Sequence, residues 1–252
     1  MKYIRINKLL VSLHTIMAND YFQFKQFIIH QERCAMKVGT DGTLLGAWAQ
    51  APAKPCRILD IGTGTALIAL MMAQRFPDAH LLGVDIDANA VAQASENVMD
   101  SPFADRITIR QMDIAELNDP DGFDVIVCNP PFFVNSLTCP NNQRTTARHA
   151  VSLTYEKLIQ SVFRLLKTDG LFSVIIPTDN HSELEAQARL IGLFVSRVCL
   201  VKTMPQKALK RQLIEFRKQP INKIDIIEET IESKPNSRST WYQQLTQDFY
   251  IK

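Results

Sequence analysis

Short apolar runs alternate with segments of helical periodicity from Cys56 onward, and this alternation constrains the fold more than any other feature of the chain. The predicted strands are 57–61, 80–85, 107–109, 125–127 and 171–176. The predicted helices are 66–75, 88–99, 153–167 and 182–191. Repeated strand–helix units predict an α/β fold with a parallel sheet that is covered on both faces. Two further strand patterns, 194–201 and 212–216, have no helix between them and predict an antiparallel hairpin at one edge.

The length of 252 residues fits one large domain with small additions. The segment 22–36 has the pattern of one or two short strands, and Thr40 or Asp41 is placed to cap a helix over 43–49. The expected division is an N-terminal extension over 1–21, a strand and helix addition over 22–50 that packs on the ligand site, a core over 51–220 and a tail over 221–252.

The formal net charge of +2 hides an acidic region and a basic region. Eleven acids face two arginines between 78 and 124, whereas seven cations face one glutamate between 197 and 218. One interpretation is that the two regions form solvent-exposed faces of opposite charge. The alternative is a basic surface that binds a polyanion.

The five cysteines are scattered, odd in number and without a Cys-x-x-Cys pair. This pattern indicates a reducing, cytoplasmic compartment and argues against a disulfide framework or a zinc site. No apolar run in the sequence is long enough to span a membrane, so no membrane partner is expected.

The stretch Asn129-Pro130-Pro131-Phe132 directly follows a buried-strand pattern and carries the most specific chemistry. The amide oxygen of Asn129 and the carbonyl oxygen of Pro130 are two adjacent acceptors for the hydrogens of a planar amine. Pro131 stiffens the turn, and Phe132 offers a face on which a base stacks. The set suits an amine whose lone pair attacks a methyl donor. A proline-rich turn that only closes a strand is the alternative.

A glycine-containing turn, Asp60-Ile61-Gly62-Thr63-Gly64-Thr65, ends the first strand of the alternating region and opens a helix. Ligands of open α/β sheets bind at the carboxyl ends of strands. Leu67 stands where a dinucleotide fingerprint needs a third glycine, which counts against NAD.

Acidic residues follow three successive strands of this region, at Asp60, Asp85 and Asp113. Asp60 is suited to an amino group, Asp85 to the hydroxyls of a ribose and Asp113 to the amino group of an adenine. This set fits S-adenosylmethionine, which is cationic and carries no phosphate. For each aspartate taken alone, helix capping or a solvated turn explains it equally well.

With these motifs the sequence resembles class I S-adenosylmethionine-dependent methyltransferases that act on exocyclic amines. The resemblance implies a seven-stranded, mostly parallel Rossmann-like sheet with an antiparallel edge hairpin. It implies a donor site formed by Asp60, Gly62, Gly64, Asp85, Asp113 and Asn129, and a catalytic tetrapeptide formed by Asn129, Pro130, Pro131 and Phe132. No metal is implied.

Two further segments, 37–42 and 144–149, look like those of the bacterial tRNA1(Val) (adenine(37)-N6)-methyltransferases. That resemblance adds Lys37, Thr40 and Asp41 to the donor site, and it implies transfer to N6 of an adenine in tRNA by a monomeric, cytoplasmic enzyme. The residues expected to bind the RNA are Phe132, Arg144, Arg148, Lys207, Lys210 and Arg211.

Other classes of protein remain as alternatives. Methyltransferases that act on a protein glutamine or on a ribosomal RNA base use a similar tetrapeptide. In the glutamine enzymes its last residue is often Tyr, and the ribosomal RNA enzymes often carry a second, duplicated domain. A DNA-adenine enzyme would need a separate recognition domain. A non-catalytic RNA-binding module or a nicotinamide enzyme would not need Asn129 and Asp60 together.

Overall fold

The computed structural model describes residues 20–34, 37–131 and 153–251. The strands are β1 (Tyr21–Gln23), β2 (Ile28–His30), β3 (Cys56–Ile61), β4 (Ala79–Asp85), β5 (Ile107–Gln111), β6 (Phe123–Cys128), β7 (Leu166–Pro177), β8 (Phe194–Lys202), β9 (Leu209–Arg217), β10 (Asp225–Thr230), β11 (Glu232–Lys234) and β12 (Ser237–Arg238). The helices are α1 (Thr40–Trp48), α2 (Leu67–Arg75), α3 (Ala88–Met99), α4 (Tyr155–Leu165), α5 (His181–Leu190) and α6 (Thr240–Thr246), with a 3₁₀ turn at Thr178–Asn180.

One sheet of eight strands runs in the order β10-β8-β9-β7-β6-β3-β4-β5. Strands β3 to β7 pair in parallel, and β9 is antiparallel to both of its neighbours. This confirms the expected α/β class with its mostly parallel sheet and antiparallel hairpin. The expected seven strands become eight because the tail contributes β10, which pairs in parallel with β8.

Apolar side chains pack against both faces of the sheet, as the continuous apolar character of its central strands requires. On one face, α1, α2 and α3 cover alternate residues such as Ile58 and Val125. On the other face, α4 and α5 cover the intervening residues, such as Leu59 and Ile126. Side chains of neighbouring residues point to opposite faces of a strand, so this division follows directly from the strand register.

Close packing of α1 on α2 depends on two glycines one helical turn apart. A Cβ atom at Gly42 would lie 3.0 Å from Leu67, and one at Gly46 would lie 2.8 Å from Met71. Because glycine has no side chain, α1 approaches α2 closely, and the first turn of α1 lies beside the start of α2. That position is the end of the sheet at which ligands bind in this architecture.

Among the helices, α1 and α4 differ most from the expected bounds. Helix α1 begins at Thr40 rather than at 43, its N-cap residue is Gly39, and no side chain caps it. Helix α4 ends at Leu165 rather than at 167, because the chain enters β7 at Leu166, which pairs with Phe123.

The N-terminal hairpin, formed by β1 and β2, is tied to the core by Asn97, a fully buried residue of α3. Its side-chain oxygen accepts from the backbone N–H of His30 at 2.9 Å, and its Nδ2 donates to the carbonyl of His30 at 2.9 Å. The same Nδ2 donates to the carbonyl of Thr65 at 3.0 Å. One side chain therefore joins the N-terminal hairpin to the turn between β3 and α2.

We expect Asn97→Ala to lower the free energy of unfolding by about 1–3 kcal/mol, because it leaves buried backbone groups without hydrogen-bond partners. Urea denaturation followed by circular dichroism measures the change. Ser95→Ala on the same helix is the control, since Ser95 bonds only to the carbonyl of Val91, and its effect should stay within about 0.5 kcal/mol. Equal stability of the Asn97 variant and the wild type would show that the tie is dispensable.

Candidate active site

The turn from β3 into α2 has a left-handed backbone at three positions. The φ angles are +68° at Gly62, +56° at Gly64 and +64° at Ala66. Glycine adopts this region without steric cost, which explains the two glycines of the sequence motif. The N–H groups of Gly62 and Thr63 both donate to the carbonyl of Val84, so the turn is fixed to the end of β4. Gly62 is exposed at the carboxyl edge, where a ligand can approach the backbone.

Asp60 lies below this turn and is 1% exposed. Its Oδ2 accepts from Thr63 Oγ1 at 2.7 Å and from the backbone N–H of Ala69 at 3.2 Å. Its Oδ1 is buried without a hydrogen-bond partner among the described residues. Burial raises the pKa of Asp60 to about 7, against the opposing effect of the two hydrogen bonds. A cationic group near Oδ1 would restore the charge of the carboxylate.

Asp85 ends β4 and is half-buried beside the glycine turn. Its Oδ2 accepts from the N–H of Gly64 at 3.0 Å, and its Oδ1 accepts from the N–H of Asp87 at 3.0 Å. Each carboxylate oxygen has room for a second hydrogen bond. The position therefore fits the predicted contact with two ribose hydroxyls, while the existing bonds orient the carboxylate.

Asp113 follows β5 and already has a cationic partner. Its Oδ2 lies 2.6 Å from Lys157 Nζ, and its Oδ1 accepts from the N–H of Ala115 at 2.9 Å. Burial opposes ionisation, but the hydrogen bonds and the charge of Lys157 lower the pKa of Asp113 below its ordinary value. The contact of Asp113 with an adenine amino group stays a prediction, and Lys157 was not foreseen.

Asn129 and Pro130 come directly after β6, whose last residue pairs with Ile61 of β3. The tetrapeptide and the glycine turn are thus at the same end of two adjacent strands. The Oδ1 atom of Asn129 is buried and has no hydrogen-bond partner among the described residues. Pro130 is buried and Pro131 is exposed. The predicted residues Phe132, Arg144 and Arg148 lie outside the described residues.

The first turn of α1 lies beside the glycine turn, because Gly42 packs on Leu67. Lys37 and Thr40 are exposed there. The Oδ2 of Asp41 lies 2.7 Å from Nε of Arg211 on β9. From the sequence, Asp41 was predicted to bind the donor and Arg211 to bind the RNA. In the structure the two side chains form an ion pair with each other.

The basic residues of the β8–β9 turn lie at the same edge of the sheet as Asn129. Arg211 pairs with Pro177, the last residue of β7, and β7 runs parallel to β6. Since neighbouring strands are about 4.8 Å apart, β9 is about 10 Å from β6. Lys207 and Lys210 are exposed at this turn, with no ion pair among the described residues.

Three polar side chains at this edge were missed by sequence reasoning. Thr178 Oγ1, His181 Nδ1 and Gln212 Oε1 are buried atoms without hydrogen-bond partners among the described residues. Gln212 pairs with Ile176 near the end of β7, and the other two follow that strand. For Thr178 and His181, the position shortly after a strand end was the signal available in the sequence, whereas Gln212 lies within β9. They lie beside the strand that leads into Asn129.

A family model described as a methyltransferase domain matches residues 52–217. A tRNA1(Val) (adenine(37)-N6)-methyltransferase of Bacteroides thetaiotaomicron is 48% identical over 93% of this chain and 99% of its own length. The chain belongs to this methyltransferase family. A member from Vibrio cholerae is 40% identical over 94% of this chain and 97% of its own length.

A solved structure described as a predicted O-methyltransferase from Agrobacterium tumefaciens has the same fold. It covers 83% of this chain and 96% of its own length, with a TM-score of 0.64 and 17% sequence identity. Among the helices of the described residues, none combines the length and apolar character needed to cross a membrane.

The donor set fits S-adenosylmethionine. Carboxylates at the ends of β3 and β4 complement an amino group and ribose hydroxyls, and the left-handed glycines expose backbone at the carboxyl edge. The Oδ1 of Asp60, which bonds to none of the described residues, adds a buried acceptor beneath the turn. No pyrophosphate-binding glycine is present, since Leu67 occupies that position and opens α2.

We expect binding of S-adenosylmethionine at about pH 6.5 to release a proton from Asp60, because a nearby cation lowers a pKa that burial has raised to about 7. The affinity should rise with pH up to about 7 and then level off. Calorimetry in buffers of different ionisation enthalpy measures the release. Asp60→Asn should abolish it, whereas the control Asp248→Asn, at an exposed position, should not. A binding enthalpy that is independent of the buffer would contradict this role of Asp60.

Proposed function

We propose that this chain transfers the methyl group of S-adenosylmethionine to the exocyclic N6 of adenine 37 in tRNA1(Val). The observation that carries the proposal is the buried Oδ1 of Asn129, which has no hydrogen-bond partner within 20–34, 37–131 and 153–251 and directly follows the strand beside the donor turn. The names of relatives with 40–48% identity over nearly the whole chain support this substrate. We assign the reaction to the core, 51–220, flanked by 1–21, 22–50 and 221–252, in a monomeric, cytoplasmic protein.

When bound, S-adenosylmethionine supplies an electrophilic methyl group on a sulfonium centre. Asn129 Oδ1 and the carbonyl of Pro130 accept the two hydrogens of N6, which draws the nitrogen lone pair out of conjugation. The lone pair then forms the N–C bond while the C–S bond breaks with its electrons on sulfur. The amine proton becomes acidic only after the methyl is bonded, so it passes to water and no strong base is needed. Positioning therefore supplies most of the rate.

A glutamine side chain or another RNA base is the alternative recipient, because each presents a planar amine to the same two acceptors. The relatives' names favour adenine. Incubation of the enzyme with labelled donor and in vitro transcribed tRNA1(Val), followed by nucleoside mass spectrometry, tests the assignment. N6-methyladenosine at position 37 is the expected product. Methylation of a different base would identify a different substrate.

We expect Asn129→Ala to lower kcat at least about a hundredfold and to leave the affinity for the donor nearly unchanged, because the side chain acts on the amine. Steady-state kinetics and calorimetry measure the two quantities. Asn222→Ala is the control. Asn222 is exposed and precedes β10, at the amino ends of the parallel strands and therefore away from the site. Loss of donor binding with an unchanged rate would place Asn129 in the donor site alone.

Lys207 and Lys210 are expected to contact tRNA phosphates. The double variant Lys207→Gln/Lys210→Gln should raise KM for tRNA about tenfold without changing donor affinity. The number of counterions released on tRNA binding, read from the salt dependence of KM, should fall by about two. Arg211 is left intact because it is bonded to Asp41. The control is Lys54→Gln/Lys223→Gln, which removes the same charge at the opposite edge. If KM and its salt dependence are unchanged, the RNA docks elsewhere.

A further inference from the structure

A groove of about 840 Å³ lies between the N-terminal hairpin and the C-terminal helix α6, and it adjoins the site described above at Thr40. We call it the C-terminal groove. Its principal lining residues are Phe22, Thr40, Arg238, Gln243, Gln247 and Tyr250. Arg238, Gln243 and Gln247 are exposed, and the two aromatic residues are half-buried.

The walls of the C-terminal groove are held by buried contacts. Ser239 caps α6 by accepting from the N–H of Tyr242 at 3.0 Å, and Tyr242, 1% exposed, bonds through its hydroxyl to Tyr250 at 3.0 Å. The N–H of Lys25 donates to the carbonyl of Phe249 at 2.8 Å. The tail is thus joined to the N-terminal hairpin, and the groove is formed before any ligand binds.

One end of the C-terminal groove lies at the start of α1, beside the donor site. Thr40, in its wall, begins the helix whose first turn packs against Leu67 at the donor site. The tail that follows β10 is joined to the β8–β9 turn, because the N–H of Ile231 donates to Lys202 and the N–H of Glu232 donates to Thr203. Arg238 lies on the same short hairpin, opposite Glu232.

The chemistry of the C-terminal groove suits single-stranded RNA. Glutamine amides bond to base edges and to ribose hydroxyls, aromatic side chains contact bases, and arginine binds phosphate. Three exposed cations line the groove or lie next to it: Arg238, Lys234 of the same short hairpin, and Lys25, whose Nζ donates to the carbonyl of Gln247 at 2.6 Å. The acids next to it are Glu232, on that hairpin, and Asp248. The excess of positive charge and the polar lining favour a nucleic acid over an apolar protein segment.

We propose that the C-terminal groove binds nucleotides of the anticodon loop that flank the target adenine. This inference rests on the proposed function, since it names a second contact for the same RNA. The flipped adenine is held by Asn129 and Pro130 next to the donor, and the C-terminal groove holds the neighbouring backbone and one unstacked base. The tail from 231 to 251 is therefore part of the substrate site.

Two single substitutions test this with matched controls at the opposite edge. Arg238→Gln is compared with Lys223→Gln, and Gln247→Glu with Gln219→Glu; both control residues are exposed. Each groove variant should raise KM about tenfold for tRNA1(Val) and equally for an anticodon stem-loop RNA, with kcat and donor affinity unchanged. Gln247→Glu preserves size and adds repulsion toward phosphate, so it separates binding from folding, which thermal melting monitors.

An unchanged KM in both groove variants would overturn the proposal, as would an increase confined to full-length tRNA. A protein or small-molecule occupant of the C-terminal groove would give the first of these results. Failure of the proposed function is recognised separately, because the wild-type enzyme would then methylate neither RNA at adenine 37.

Discussion

The abrupt passage of the chain from β3 into α2 is the constraint on which the site depends. Three left-handed residues make this turn, and the buried carboxyl of Asp60 holds it through Thr63 and the first part of α2. Because Asp85 and Asn97 also bond to the turn, β4 and the N-terminal hairpin are aligned on the same few atoms. The donor site is consequently a junction of three parts of the chain.

The carboxyl group of Asp60 is buried at this junction, which is energetically unfavourable for its charged form. Desolvation disfavours the charged form, which raises the pKa of Asp60 toward neutrality. The Oδ1 of Asn129 is likewise buried and has no hydrogen-bond partner in the described part of the chain. Unsatisfied polar atoms are rare in folded proteins, and they concentrate where a ligand completes the bonding. Both atoms lie at the same edge of the sheet.

The sequence predicted the central strands, because short apolar runs and glycine turns are local signals. It also predicted that Asp60, Asp85 and Asn129 share one edge, which follows from the parallel arrangement. It missed β10, whose residues Asp225, Glu228 and Glu229 are acidic and whose side chains are mostly exposed. The bonds of Asn97 to His30 and of Lys157 to Asp113 join residues far apart in sequence, and no local pattern indicates them.

The ion pair between Asp41 and Arg211 joins the helix beside the donor turn to the strand that carries the basic turn. A phosphate that attracts the guanidinium would weaken its hold on the carboxylate, and a donor that engages the carboxylate would release the guanidinium. Each ligand would then alter the affinity for the other by the same factor, because coupling between two sites is thermodynamically reciprocal. If Asp41 contacts the donor and Arg211 contacts RNA phosphate, this one ion pair would make the binding of the two substrates cooperative.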